Sequence, residues 1–259
     1  MTYKEIILKA QDNIQIIELN VPHKMNPISL DMSKEISDAI EKAQSSARVI
    51  IITATGPAFC SGTNLSPERI IELQNGDIGL ALENVYNPLF LALKNSNIPI
   101  INAINGAAVG IGCPLALMGD IIIAAKSAYF MQGFLNIGLI PDGGSAYLLA
   151  RSIGRVKAME MMLLGNKIFA EEALARGLVT QICEDEKLME TTMAIATKIA
   201  KGPKLAMANM RKSAWAALDN DFSGQLTLER ELQKQAGNHN DFLEGIKAFM
   251  QKKPPKFED

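Results

Sequence analysis

Histidine, tryptophan and cysteine are scarce in this 259-residue chain, which has two, one and three of them. The two histidines, His23 and His239, are far apart and form no H-E-x-x-H pair, and no carboxylate cluster stands in for one, so no metal is expected. Cys60, Cys113 and Cys183 show no C-x-x-C spacing; free buried thiols in a reducing compartment are the reading, against a disulfide framework or a zinc site. Excess charge is missing too. With 26 Lys and Arg against 28 Asp and Glu, the net charge of −2 speaks against a surface made for nucleic acid. It leaves room for a local basic patch serving a small polyanion. No uncharged apolar run approaches the ~20 residues that span a bilayer. The opening MTYKEIILKA has charges where a secretory signal needs an apolar core. A cytoplasmic protein without a membrane segment is expected.

What is present is ordinary globular material, 48% hydrophobic and 21% charged, in a chain long enough to bury a sizeable core. KEIILKA and IQIIELN read as two short strands around the turn QDN. SLDMSKEISDAIEKAQSS reads as a helix with Leu30, Ile36 and Ile40 on one face and Ser29 or Asp31 as its cap. RVIIITATG is a continuous apolar run, the pattern of a strand buried on both faces. IPIINAINGAAV and DIIIAAKSAYF are further β-rich runs with a short helix between them. From about Arg155 the segments are helical by period and composition. The expected plan is α/β with parallel strands, a core over residues 1–200 and a helical region over 201–259.

Two loops stand between a strand and a helix: PAFCSGTNLS, residues 57 to 66, and NGAAVGIGCPLA, residues 105 to 116. Both are rich in small residues, where backbone N–H groups can be left without intrahelical partners. A phosphate is not their obvious target. No Lys follows Gly112, as a P-loop requires, and GIGCPL fails the third glycine of the dinucleotide fingerprint. Taken alone, the G-x-G is a tight turn beside a packed helix.

Together, AFCSGTNL and NGAAVGIGCPLALMGDIIIAA resemble the crotonase superfamily, the enoyl-CoA hydratase/isomerase family. ELNVPHKMNPIS, IGLIPDGGSAYLLARSIG, AEEALARGLV and DFLEGIKAFMQKKPPKF agree with it, in the right order along essentially the whole chain. The resemblance implies a spiral of ββα units with a C-terminal helical region, assembled as a homotrimer or dimer of trimers. It implies an acyl-CoA substrate, with no further cofactor, whose thioester oxygen sits between the backbone N–H groups of Thr63 and Ile111. Ser61, Gly62, Gly110 and Phe134 would line the substrate site. Lys24, Phe249 and Lys252 occur where relatives approach coenzyme A, sometimes across a subunit boundary, although Lys252 also reads as an ordinary solvated charge. Ile111 stands where relatives often have glycine, which keeps the donor and narrows the acyl pocket. Asn64 replaces a common Asp and reads as turn-forming.

Which reaction follows from what is missing. The hydratase version uses two glutamates, and Pro114 and Phe134 occupy their places; neither side chain can move a proton. Asp142 remains, in LIPDGGS. By spacing alone, P-D-G-G is a turn that caps the next helix. The resemblance instead implies a single carboxylate that shuttles a proton and moves a double bond, as in isomerases of fatty acid and phenylacetate breakdown, with Phe134, Leu139 and Ile140 raising its pKa. The alternatives are another crotonase-type reaction such as hydration, or a non-catalytic acyl-CoA binder. A dehalogenase would need a histidine to activate water, and both histidines read as solvated loop residues. Asp120 reads as a turn residue, and Glu83, Glu160, Glu171 and Glu172 as helix-surface charges.

Overall fold

A two-residue turn with positive φ at both positions, Asp12 at 48° and Asn13 at 62°, opens the chain. Asp and Asn tolerate that conformation, whose twist matches an antiparallel hairpin. It joins β1 (Ile6–Gln11) to β2 (Ile14–Leu19). The computed structural model describes residues 3–64 and 77–257. Helix α1 (Leu30–Ser46) follows, capped by Ser29, whose hydroxyl accepts the Met32 N–H at 2.9 Å. Asp31 stays exposed, and Met32, Ile36, Ala39, Ile40 and Ala43 form the buried face while Leu30 is half-buried. The chain returns as β3 (Val49–Ala54), parallel to β2 and buried over its first five residues. This double-sided burial is why the segment is a continuous apolar run.

Each later β-rich run divides into two strands that enter different sheets. β3 is followed by β4 (Ala58–Cys60), β5 (Ile100–Ile104) by β6 (Ala107–Val109), and β7 (Ile121–Ala125) by β8 (Tyr129–Met131). With β9 (Ile168–Phe169) and β10 (Gln181–Cys183), the large sheet runs β1-β2-β3-β5-β7-β10 and the small one β4-β6-β8-β9. Apolar periodicity cannot reveal this division, because both halves of each run are buried. The corners are set by polar groups. Buried Asn26 accepts the Val21 N–H at 2.7 Å and donates to the Thr55 and Ala58 carbonyls, both at 2.8 Å, pinning the β3–β4 corner. Asn105 donates to the Gly56 carbonyl at 2.8 Å, stacking the β5–β6 corner upon it. The repeating strand–strand–helix unit therefore advances as a spiral.

Helices cover the sheets: α2 (Asn87–Lys94), α3 (Gly112–Leu117), α4 (Ser145–Ile153), α5 (Arg155–Leu164), α6 (Ala170–Ala175) and α7 (Leu188–Ala200). Then come α8 (Lys204–Ala216), α9 (Phe222–Gly237) and α10 (Asn240–Met250). Among the described residues, no helix is long and apolar enough to cross a membrane. Asp120 is more than a turn residue. Its carboxylate accepts the Ile100 N–H at 2.8 Å and binds Arg211 of α8 at 2.6 Å. Arg211 is buried and also donates to the Leu93 carbonyl at 3.0 Å and to that of Ser96, at the C-terminal end of α2. One guanidinium thus ties α8 to α2 and to the start of β5.

Removing it leaves the carbonyls of buried Leu93 and Ser96 without this donor, and the partly exposed Asp120 carboxylate without its cation. Arg211→Met is expected to cost about 3 kcal/mol. Urea unfolding should show a lowered midpoint with an unchanged slope.

Candidate active site

The two glycine-bearing loops pack against each other behind one cavity. A Cβ built on Gly110 would stand 3.6 Å from the Gly62 Cα, and one on Gly62 would stand 3.4 Å from the Val109 carbonyl oxygen. At Gly112 a side chain would run into the Cys60 carbonyl and thiol, so that position requires glycine for the approach. α3 is held from its other end: Asn102 of β5 donates to the Leu115 and Ala116 carbonyls, each at 2.9 Å.

The orientation of two amides follows from what their own peptide carbonyls do. The Gly62 carbonyl accepts the Ile28 N–H at 2.7 Å, and the Gly110 carbonyl accepts the Cys113 N–H at 3.0 Å. In a trans peptide the carbonyl and the N–H point in opposite directions. Fixing the Gly62 oxygen on Ile28 therefore aims the Thr63 N–H away from Ile28, and fixing the Gly110 oxygen aims the Ile111 N–H away from α3. Among the described residues, neither amide donates to a protein acceptor. Thr63 and Ile111 both line a cavity of about 170 Å³.

Asp142 lines the same cavity. Its carboxyl does not cap the helix that follows. The cap position before α4 is Gly144, with no side-chain cap bond, and it is the Asp142 main-chain carbonyl that accepts the Ser145 N–H at 3.0 Å and hydroxyl at 2.7 Å. One carboxyl oxygen, Oδ1, is buried without a hydrogen-bond partner. Burial pushes the pKa from 3.8 up to about 6, and the residue's own N–H offsets this in part. Gly143, at φ +58°, places the segment where a Cβ would stand 2.7 Å from the Phe90 ring and 3.0 Å from Pro114. Pro114, in the first turn of α3, is thus a wall supporting the Asp142 segment.

Ser61, Gly62, Gly110 and Phe134 also line the cavity, as does Leu139. Ile140 does not: it is 83% exposed, so the apolar surroundings of Asp142 come from Phe134 and Leu139 without it. Lys24 is exposed and outside the lining, and so is Lys252. Phe249 is 85% exposed and borders a separate cleft between α9 and α10. Within one chain these three residues are not brought to the cavity. Asn64 is half-buried and off the lining, and Glu83 faces outward. His239 caps α10, its Nδ1 accepting the Asp241 N–H at 3.3 Å. A larger cleft of about 830 Å³ lies between the end of α2 and α8 and contains none of the candidate residues.

Composition could not identify the rest of the lining. Leu82 and Tyr86 enter the cavity from a π-helical turn, Leu82–Tyr86, that precedes α2. Their i, i+4 spacing in ALENVYNPLF was the available signal, but it equally describes an ordinary core face. The buried thiols add no chemistry. Burial raises Cys60 to about 11 and Cys113 to about 12, so both remain protonated and poorly nucleophilic. Among the described residues no group of three or more His, Cys, Asp or Glu side chains is arranged so that it could hold a metal ion. Among the described residues, the cavity therefore offers two unpaired N–H donors and one carboxyl group, proton-accepting above about pH 6, beside apolar side chains.

Comparison with known proteins bears on this arrangement. The family model described as enoyl-CoA hydratase/isomerase matches residues 9–259. A protein of Rhodobacter capsulatus named probable enoyl-CoA hydratase is 40% identical, over 99% of each chain. The 1,2-epoxyphenylacetyl-CoA isomerase of Escherichia coli is 35% identical, over 97% of each chain. A crystal structure of an enoyl-CoA hydratase subunit from Geobacillus kaustophilus superposes with a TM-score of 0.91 at 32% identity, covering 99% of this chain and 98% of that one.

The raised pKa has a thermodynamic consequence. Ionising Asp142 costs more in the folded state than in the unfolded one, so stability is full below pH 3.8 and falls as the pH rises through about 6. Asp142→Asn should therefore gain about 2 kcal/mol at pH 8 and nothing near pH 3.5. Urea midpoints at the two pH values provide the comparison.

Proposed function

The chain belongs to the enoyl-CoA hydratase/isomerase family, and from that premise we propose that it isomerises 3-enoyl-CoA to 2-enoyl-CoA by a one-carboxylate proton shuttle. The observation that carries the proposal is that Asp142, Thr63 and Ile111 line one cavity, in which, among the described residues, one carboxyl oxygen and two N–H groups lack protein partners.

The thioester oxygen accepts from the Thr63 and Ile111 amides. Ionised Asp142 takes a proton from C2, and the electron pair left behind spreads over the dienolate, whose charge rests on that oxygen. Donors aimed in advance at such a charge contribute roughly 3 kcal/mol each to lowering the barrier. The protonated carboxyl then delivers the same proton to C4. The double bond between C3 and C4 is lost, one between C2 and C3 is gained, and both carboxylate and amides are restored. A pKa of about 6 suits a group that must act as base and then as acid near neutral pH.

Water addition is disfavoured by the same walls. Phe134 lines the cavity and Pro114 backs the Asp142 segment, where a hydratase of this family has two carboxylates to activate and protonate. The Escherichia coli relative named as an isomerase supports this choice, while the Rhodobacter relative named as a probable hydratase supports the second reading, hydration. Lys24 approaches the coenzyme phosphates in the proposed complex. Assembly as a homotrimer or dimer of trimers would cover the apolar residues Phe242, Ile246 and Phe249, all exposed on α10. It would also give Phe249 and Lys252 a neighbouring site to approach.

Purified protein offered a 3-enoyl-CoA should produce the conjugated thioester absorbance with no product of added water by mass. Rapid hydration of a 2-enoyl-CoA would favour the second reading. Asp142→Asn should lower kcat by at least a thousandfold while butanoyl-CoA affinity changes less than threefold. In the native protein kcat/KM should climb as the pH rises through about 6, because the base must be ionised.

A further inference from the structure

Tyr86 is a positioning residue for one of the two oxyanion donors, we propose, acting through Ile28; this inference rests on the acyl-CoA reading above. Tyr86 is 2% exposed, and its hydroxyl donates to the Ile28 carbonyl at 3.3 Å. Ile28 is fully buried and pairs with Thr63 as an isolated parallel bridge. Its N–H holds the Gly62 carbonyl at 2.7 Å, which is the opposite edge of the peptide that presents the Thr63 N–H. The phenol therefore secures the residue that aims the donor, without itself pointing at the thioester oxygen.

A π-helical turn, Leu82–Tyr86, leads into α2. The Asn87 N–H bonds back to the Leu82 carbonyl, so one extra residue is accommodated in the turn. An added residue rotates what precedes it by about 100° relative to α2. Tyr86 precedes Leu89, Phe90 and Leu93 by three, four and seven residues and so continues the core face of α2, and with Leu82 it also lines the cavity. Tyr86 thereby combines two tasks, closing the cavity wall with its ring and holding Ile28 with its hydroxyl. Phenylalanine would satisfy the first task alone.

The contribution is felt where charge develops. A slack Thr63 amide still donates to a neutral thioester oxygen, which makes little demand on donor direction. An enolate oxygen makes a strong one, because charge-assisted bonds depend steeply on alignment. Tyr86→Phe should therefore act on kcat and leave ground-state binding nearly untouched.

The probe is acetoacetyl-CoA, a 3-oxoacyl thioester whose enolate shares its charge between the thioester and 3-oxo oxygens and absorbs in the near ultraviolet. Wild-type protein should bind it largely as the enolate. Tyr86→Phe should reduce the enolate band at saturation severalfold and lower kcat for isomerisation about tenfold. Butanoyl-CoA affinity should stay within twofold, and the lower limb of the pH profile, set by Asp142, should not move. Equal enolate bands and equal kcat in the two proteins would overturn the role of Tyr86 and leave the donor reading intact. A parallel loss of butanoyl-CoA binding would also overturn it, marking the residue as a cavity wall only. Absence of the band in the wild type would overturn the donor reading and the Tyr86 role together.

Discussion

A peptide plane carries its carbonyl and its N–H on opposite edges, so a bond to one edge aims the other. The candidate site is an application of that constraint made twice. Ile28 and Cys113 supply N–H groups to the Gly62 and Gly110 carbonyls, and the Thr63 and Ile111 amides are left pointing elsewhere. The two loops then have to lie against each other for the amides to serve one acceptor. Small residues at 62, 110 and 112 permit the contact, and the parallel pairing of β4 with β6 brings the loops to the same end of the small sheet. The large sheet serves the site indirectly, through Asn102 of β5 and its grip on α3.

Asp142 is positioned by a different kind of force. Among the described residues, no cation or capping bond holds its side chain; packing of Gly143 on Phe90 and Pro114 fixes the main chain, and the carboxyl is left in the cavity wall with one oxygen unpaired. Leaving a carboxyl so exposed to low dielectric costs stability at neutral pH, which the surrounding core offsets. The same cost supplies the intermediate proton affinity that a shuttle needs. Stability and the proposed chemistry thus pull on one side chain in opposite directions, as is common where function resides.

Much of the fold was legible in residue pattern. The DN turn, the Ser29 cap, the continuous apolar β3 and the glycine-bounded helices of the second half each have a local physical cause. The loops around Ser61–Gly62–Thr63 and Gly110–Ile111–Gly112 were legible as places where amides could be free, and the resemblance supplied the acceptor. Less could be read from IPIINAINGAAV and DIIIAAKSAYF, because a strand that changes sheet keeps its hydrophobicity while only its corner turns polar. Ile140 was misplaced for a related reason: next to Leu139 it looks equally apolar, yet one points inward and the other out. Phe249, on α10, and Lys252, in the turn just beyond it, belong to a segment that one chain does not bring to the cavity.

Local chemistry in the sequence determined which peptides could be turned into donors, which carboxyl could be isolated from charge, and which positions lack a side chain able to activate water. Residues next to each other along the chain suffice for such properties. Tertiary structure alone decided that Thr63, Ile111 and Asp142 face one space, that Tyr86 reaches Ile28 across 58 residues, and that Arg211 clasps Asp120 across 91. Those relations depend on how sheets stack and how helices rotate, and a chain of apolar segments can satisfy its periodicity in many such arrangements before packing selects one.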